Sequence, residues 1–162
     1  MNVEDIEIRR PRAAEADALT RIAHTAKRHW GYREELIDLW KPDLTVTADF
    51  IDAHTVYCAV HGTQVLGFYA LSSEGNAFEL EHMWIDPPHM GARVGARLFA
   101  HAVETVQCAG GLRLTIAADP HAEGFYRRMG ARRIGEVPST PAGRMLPLLV
   151  VEIDALEGSH SP

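Results

Sequence analysis

The sequence predicts an α+β fold built around a mixed sheet, and three features carry that prediction. Strand-like and helix-like segments follow the order strand, two helices, three strands, helix, strand, helix and two strands. A hairpin turn at 61–64 joins two β-rich runs. A glycine-containing loop at 90–95 connects an apolar strand to an amphipathic helix.

Each element has its own signal. Alternating residues at 6–10 predict the first strand, and apolar residues at helical spacing predict helices over 13–29 and 34–40, with a further helical turn at 47–52. β-rich runs at 55–60, 65–71 and 78–85 predict a three-strand meander. After the loop, a helix over 95–109 ends at two glycines, and a strand follows at 112–117. Asp119-Pro120 begins a helix that runs to 130, and the last strands span 132–137 and 146–153.

Composition limits the class of protein. The 162 residues, 46% of them hydrophobic, predict a single domain over 1–156 with a flexible tail at 157–162. The net charge of −6 argues against nucleic-acid and anionic-membrane partners. We see neither a signal peptide nor an apolar run of about 20 residues, and two cysteines make no disulfide framework, so we expect a cytoplasmic protein. The nine histidines lack zinc-ligand spacing, and we expect no metal.

The loop itself points to an anion. A helix N-terminus presents N–H groups without intrahelical partners, and the helix dipole adds partial positive charge at the same place. The segment 85–99 therefore predicts a phosphate-bearing ligand. Seven arginines in the C-terminal half predict a local positive region: Arg93, Arg97, Arg113, Arg127, Arg128, Arg132 and Arg133.

The element order and two joints resemble the GNAT acetyltransferase superfamily over 6–153. Met90-Gly-Ala-Arg-Val-Gly95 is similar to the family's coenzyme A motif of Gln or Arg, two residues, Gly, one residue, then Gly or Ala. The segment 122–131 is similar to the family's second joint, in which an aromatic pair lies four residues before a glycine. The resemblance implies a GNAT-like, mostly antiparallel sheet of six to seven strands flanked by about four helices.

Two residues depart from the motif. Met90 replaces Gln or Arg, and Arg93 replaces the first glycine. Because the loop would bind phosphate through backbone N–H groups, we expect side chains to vary wherever the chain does not need a positive φ. We expect the Arg93 guanidinium to reach over a phosphate; the alternative is that it crowds the pyrophosphate.

The resemblance implies an acyltransferase that moves an acetyl group from acetyl-CoA to a primary amine by direct attack in a ternary complex. The residues it assigns to the coenzyme are Trp84, Ile85, Met90, Gly91, Ala92, Arg93, Val94, Gly95, Ala96 and Tyr126. Tyr126 would also protonate the leaving thiolate, a transfer that free tyrosine and thiol pKa values make uphill by about 2 kcal/mol.

The acceptor amine must lose a proton, and Glu79 and Glu81 are the predicted catalytic bases. They lie two residues apart on one strand, so their side chains share a face. A carboxylate there would take the proton through a water and attract a cationic acceptor. The sequence does not choose between them, and both could be solvated strand glutamates. His82, on the opposite face, is a minor base candidate.

Trp30 and Tyr32 mark a helix break on the side that the family uses for the acceptor. We expect them to contact the acceptor, by cation–π packing on an ammonium, or else to staple the two helices onto the sheet. The acceptor is a small-molecule or peptide amine whose identity stays open among lysine, N-terminal amine, polyamine, amino acid and aminoglycoside.

Two other functions stay open at this point. A coenzyme-A-binding sensor without turnover would keep the loop and lose the chemistry. An interaction protein that works through an edge strand would bind no coenzyme at all. Edge strands at the C-terminal end are also compatible with a homodimer.

Overall fold

The computed structural model describes residues 2–155, so the predicted tail at 157–162 lies outside the described residues. Within them the predicted α+β class is confirmed. The strands are β1 Glu7–Arg9, β2 Thr55–His61, β3 Gln64–Glu74, β4 Ala77–Ile85, β5 Arg113–Ala117, β6 Arg132–Pro138 and β7 Met145–Glu152. The helices are α1 Ala16–His29, α2 Glu34–Trp40, α3 Ala48–Ala53, α4 Val94–Cys108 and α5 Glu123–Arg128. No helix in this part of the chain has the length and apolarity needed to cross a membrane.

The strands form one mixed sheet in the order β1-β2-β3-β4-β5-β7-β6. Antiparallel pairing joins β1 to β2, β2 to β3, β5 to β7 and β6 to β7. Strands β4 and β5 run parallel, with Ala77 opposite Arg113 and Glu79 opposite Thr115. The sheet is therefore mostly antiparallel, as the resemblance implied.

The chain divides into two compact units, and the prediction of a single domain stays a prediction. Among the described residues, the first unit comprises 2–71 with His82–Phe99, and the second comprises Ser72–Glu81 with 100–155. In the first, the apolar stripe of α1 belongs to one buried cluster with Ile37 of α2 and Phe68 of β3. In the second, Leu114 and Leu149 are fully buried on the paired strands β5 and β7.

A close backbone approach positions the end of β4 in the first unit. A Cβ atom on Gly67 of β3 would lie 2.7 Å from the carbonyl oxygen of Trp84 and 2.8 Å from Cδ1 of Ile85. Beyond them, the Asp86 N–H donates to the carbonyl of Leu66 at 2.8 Å. Only glycine at position 67 allows this contact. The contact and the hydrogen bond to Leu66 fix the position at which β4 ends.

The two cysteines lie in opposite environments. Cys58 is buried on β2, and Cys108 is exposed at the end of α4. Burial raises the pKa of Cys58 to about 11, although the nearby Arg9 guanidinium acts in the opposite direction. The Cys58 thiol is therefore protonated and unreactive at neutral pH.

Candidate active site

The predicted anion loop lies in the first unit, between β4 and α4. A 3₁₀ turn, Pro87–His89, follows β4. The His89 N–H donates to Asp86 at 2.8 Å, and the Met90 N–H donates to Pro87 at 3.1 Å. Helix α4 then begins at Val94, a fully buried residue. The buried Asp86 carboxylate lies 3.7 Å from the Arg21 guanidinium of α1, which ties the start of the loop to that helix.

Two residues of the loop have left-handed backbone conformations. Gly91 has φ +83° and Arg93 has φ +65°. The expectation that side chains vary only where the chain needs no positive φ therefore does not account for Arg93, which has a side chain and a positive φ. The chain takes this conformation even with a side chain present, at the residue immediately before α4 begins. A left-handed conformation costs a non-glycine residue about 1–2 kcal/mol.

Arg93 is also the cation that the loop presents. Its side chain is exposed and makes no ion pair within residues 2–155. Most of the other predicted arginines bind groups of the protein. Arg97 donates to the Ile6 carbonyl, Arg127 and Arg133 pair with Glu123, and Arg113 and Arg132 pair with Glu152. The predicted positive region is thus partly neutralised internally.

The loop fits the diphosphate of coenzyme A. A Cβ atom on Gly91 would meet nothing within 4 Å, so a ligand can approach the backbone there. The first N–H groups of α4, a helix of 15 residues, supply donors, and its dipole favours an anion. Arg93 adds a guanidinium, which matches phosphate geometry. The residues that would hold the group are Gly91, Ala92, Arg93, Val94, Gly95 and Ala96.

The two predicted bases lie together in the second unit. Glu79 and Glu81 project from the same face of β4, and the Ser72 hydroxyl of β3 donates to Oε1 of Glu81 at 2.6 Å. Glu79 is exposed, but desolvation by its neighbours raises its pKa, and the negative charge of Glu81 and a hydrogen bond between the two carboxyl groups act in the same direction. Glu79 therefore titrates closer to neutrality than a free glutamate, as a general base at neutral pH requires.

Tyr126 is buried in α5, with its ring 5.3 Å from that of Phe125. Burial raises the pKa of Tyr126, and the negative charge of Asp119 raises it further. Asp119 accepts the backbone N–H of His121 at 2.9 Å and pairs with Arg144 at 3.3 Å. The phenol therefore stays protonated. Complete proton transfer from it costs more than the 2 kcal/mol or so expected for free tyrosine, so its hydroxyl is better suited to hydrogen-bond donation.

Trp30 and Tyr32 surround a charge that belongs to the protein. The Lys27 ammonium, on a side chain only 7% exposed, lies 4.4 Å from the ring centre of Trp40 and 5.0 Å from that of Tyr32. The rings of Trp30 and Trp84 are each 5.8 Å away. Contact of Trp30 and Tyr32 with an acceptor stays a prediction. The cation–π chemistry that suggested it already operates inside the first unit.

One ring nitrogen of His82 accepts a hydrogen bond from a neighbouring side chain. The indole N–H of Trp84 donates to Nδ1 of His82 at 3.0 Å. Because a ring nitrogen that accepts a hydrogen bond carries no proton, the imidazole is neutral and Nε2 bears the hydrogen. This arrangement does not favour His82 as the base. Among the described residues, no group of three or more His, Cys, Asp or Glu side chains could hold a metal ion.

Sequence reasoning missed the burial of Lys27 and the position of Arg113 beside the predicted bases. Lys27 falls four residues after Ala23 on the buried stripe of α1, so helical spacing alone indicated its burial. Arg113 shares a strand face with Thr115, and the pair lies beside Ala77 and Glu79 once β4 and β5 are in register. No local signal gives that register, because the two segments are distant in sequence.

Comparison with known proteins identifies the family. Residues 32–143 match the family model described as the acetyltransferase (GNAT) domain. No curated protein sequence matches the chain.

Several solved structures share the fold. PaiA N-acetyltransferase from Thermoplasma acidophilum, in complex with coenzyme A, is 18% identical, with a TM-score of 0.73 over 91% of this chain and 98% of that one. A GCN5-related N-acetyltransferase from Rhodopseudomonas palustris is 17% identical, with a TM-score of 0.76 over 94% and 99%. The ribosomal-protein-S18-alanine N-acetyltransferase from Escherichia coli is 13% identical, with a TM-score of 0.68 over 96% and 99%.

The strain at position 93 leads to a stability prediction. Arg93→Gly should raise the free energy of unfolding by about 1 kcal/mol, because glycine adopts φ +65° without a Cβ clash. Arg93→Ala is the matched control, since it removes the guanidinium but keeps the Cβ, and it should not stabilise. Urea denaturation measures both. Equal stabilities for the two variants would show that the backbone at position 93 is unstrained.

Proposed function

We propose that this chain, which belongs to the GNAT acetyltransferase family, transfers an acetyl group from acetyl-CoA to a primary amine. The amine attacks the acetyl group directly in a ternary complex. The observation that carries the proposal is the loop at 90–95. It combines two left-handed residues, an approachable backbone at Gly91 and the start of a long helix.

Acetyl-CoA, when bound, supplies the acetyl group. The loop and the first turn of α4 bind its diphosphate, and Arg93 contributes a charge-assisted hydrogen bond. Backbone groups of Trp84 and Ile85 hold the pantetheine arm along the end of β4. Gly67 supports this arrangement, because it keeps that stretch of β4 in a fixed position against β3.

Glu79 and Glu81 handle the acceptor's proton. An ammonium has no lone pair, so the amine must lose a proton before its nitrogen bonds to the acetyl carbon. One of the two carboxylates takes that proton, directly or through a water. The raised pKa of Glu79 makes it the better supported base. Ser72 donates a hydrogen bond to the carboxylate of Glu81, whose negative charge contributes to the raised pKa of Glu79.

Tyr126 acts on the leaving group. As the carbon–sulfur bond breaks, its hydroxyl donates a hydrogen bond to the departing thiolate. The raised pKa of the phenol supports this role, since the hydroxyl keeps its hydrogen throughout the working pH range.

A thiol-release assay over a panel of primary amines, combined with calorimetric titration of coenzyme A, tests the function. Gly91→Asp should weaken coenzyme A binding by about tenfold or more, because it places a carboxylate beside the diphosphate. Gly143→Asp is the matched control: Gly143 also has a positive φ and open space around it. Coenzyme binding without release from any amine would favour a sensor, and no binding would favour an interaction protein.

The pH dependence of the reaction tests the base. The carboxylate must be ionised to accept a proton, so kcat/KM should fall as the pH drops through the raised pKa of Glu79. Glu79→Gln should remove this acid limb and lower kcat/KM by about 10²–10⁴-fold. Glu104→Gln, at an exposed carboxylate on α4 outside this site, should change neither. Loss of the limb in Glu81→Gln alone would assign the role to Glu81, and its survival in both variants would exclude the pair.

Tyr126→Phe tests the donor. The variant should lower kcat by about 10²-fold, because it removes a hydrogen bond to developing negative charge, while coenzyme A affinity stays within about twofold. Tyr69→Phe, at a second buried tyrosine, controls for loss of a buried hydroxyl elsewhere. Single-turnover kinetics and calorimetry separate the two quantities. A parallel loss of affinity and rate would make Tyr126 a binding residue.

A further inference from the structure

A cavity in the second unit places opposite charges within one small volume. It is open to solvent on one side and has a volume of about 390 Å³, within the range of small-molecule sites. Two carboxylates, those of Glu74 on β3 and Glu79 on β4, line it together with one guanidinium, that of Arg113 on β5. The parallel register puts Ala77 opposite Arg113 and Glu79 opposite Thr115, so the carboxylate and the guanidinium emerge on neighbouring strands, two residues apart along the sheet.

The guanidinium retains the capacity to bind a ligand. Arg113 makes one long contact, 3.5 Å, with Oε1 of Glu152. Arg132 binds the same oxygen at 3.0 Å, and so supplies much of the positive charge that Glu152 needs. An arginine has five N–H donors in a planar fork that matches a carboxylate, and a single long contact leaves most of them available.

The remaining walls also favour a polar ligand. The hydroxyl groups of Ser72, Ser73 and Thr115 line the cavity beside the ring of Phe78. Thr115 donates to the Phe78 carbonyl at 3.3 Å, and Ser72 donates to Glu81, so both hydroxyls keep lone pairs that can accept from an ammonium. A second cationic group on the ligand would meet Arg113, which disfavours polyamines.

We infer that this cavity binds an acceptor that carries a carboxylate as well as its amine, of which a free α-amino acid is the simplest. The inference rests on the proposed function and narrows its acceptor. The amine faces Glu79, which takes its proton, and the carboxylate faces Arg113. The opposite charges orient the molecule, because reversing it would set like charges together at both ends.

The experiment compares common α-amino acids with their amides, which keep the amine and lose the carboxylate. In the wild-type protein the acids should have the higher kcat/KM, by about tenfold or more, since hydrogen bonds to charged groups contribute that much. Arg113→Gln should remove the preference through KM while activity on the amides persists. Arg132→Gln is the matched control, because Arg132 shares Glu152 but does not line the cavity.

Three results would overturn the inference: equal use of acids and amides by the wild type, equal losses on both in Arg113→Gln, or the same loss in Arg132→Gln. Calorimetric titration of the same amino acids and amides distinguishes failure of this inference from failure of the proposed function. Arg113-dependent binding of the acids without thiol release from any amine would support the cavity and reject acetyl transfer. Thiol release from acids and amides alike would support acetyl transfer and reject the cavity as a carboxylate-binding site. If no amino acid bound, the cavity would also be rejected as the acceptor site.

Discussion

The absence of a side chain at Gly67 is the constraint on which the first unit depends. Because no Cβ intervenes, the Trp84 carbonyl rests against β3, and the chain passes from there into the proline turn and the loop. The same fixed segment carries the Trp84 ring to 5.7 Å from that of Trp30. One glycine thus positions the strand end proposed to hold the pantetheine arm and one ring of the Lys27 cluster. An alanine there would require backbone, not a flexible side chain, to move.

The protein uses its charges differently in the two units. In the first, four aromatic rings surround an ammonium that belongs to the chain, so their faces are committed to Lys27. In the second, Glu79 and Arg113 face a cavity large enough for a ligand. An acceptor ammonium that bound to these aromatic faces would have to displace the Lys27 ammonium or share the rings with it. A carboxylate such as Glu79 attracts an ammonium directly.

Much of the fold could be predicted from the sequence because its signals are local. Helix α2 has the predicted bounds, Glu34–Trp40, since Lys41 and Pro42 follow it and periodicity marks the start. The family and the loop were predictable for the same reason. The conformation of Arg93 was not, because sequence associates a positive φ with glycine and an arginine gives no such signal. Lys27 gave two conflicting signals, because its charge predicts exposure and its position on the apolar stripe of α1 predicts burial. In the structure Lys27 is buried. The cavity around Arg113 depends on the β4–β5 register, a long-range property that no short segment encodes.

The contrast between the two cysteines has a practical consequence for labelling. A maleimide or a disulfide reagent attacks a thiolate, and the buried Cys58 offers almost none below its pKa of about 11. Cys108, exposed at the end of α4, is then the single attachment point for a fluorophore or spin label. The same thiol contributes a constant, stoichiometric signal to any colorimetric thiol reagent. Replacing it with serine gives a chain whose chromophore development reports the released coenzyme alone.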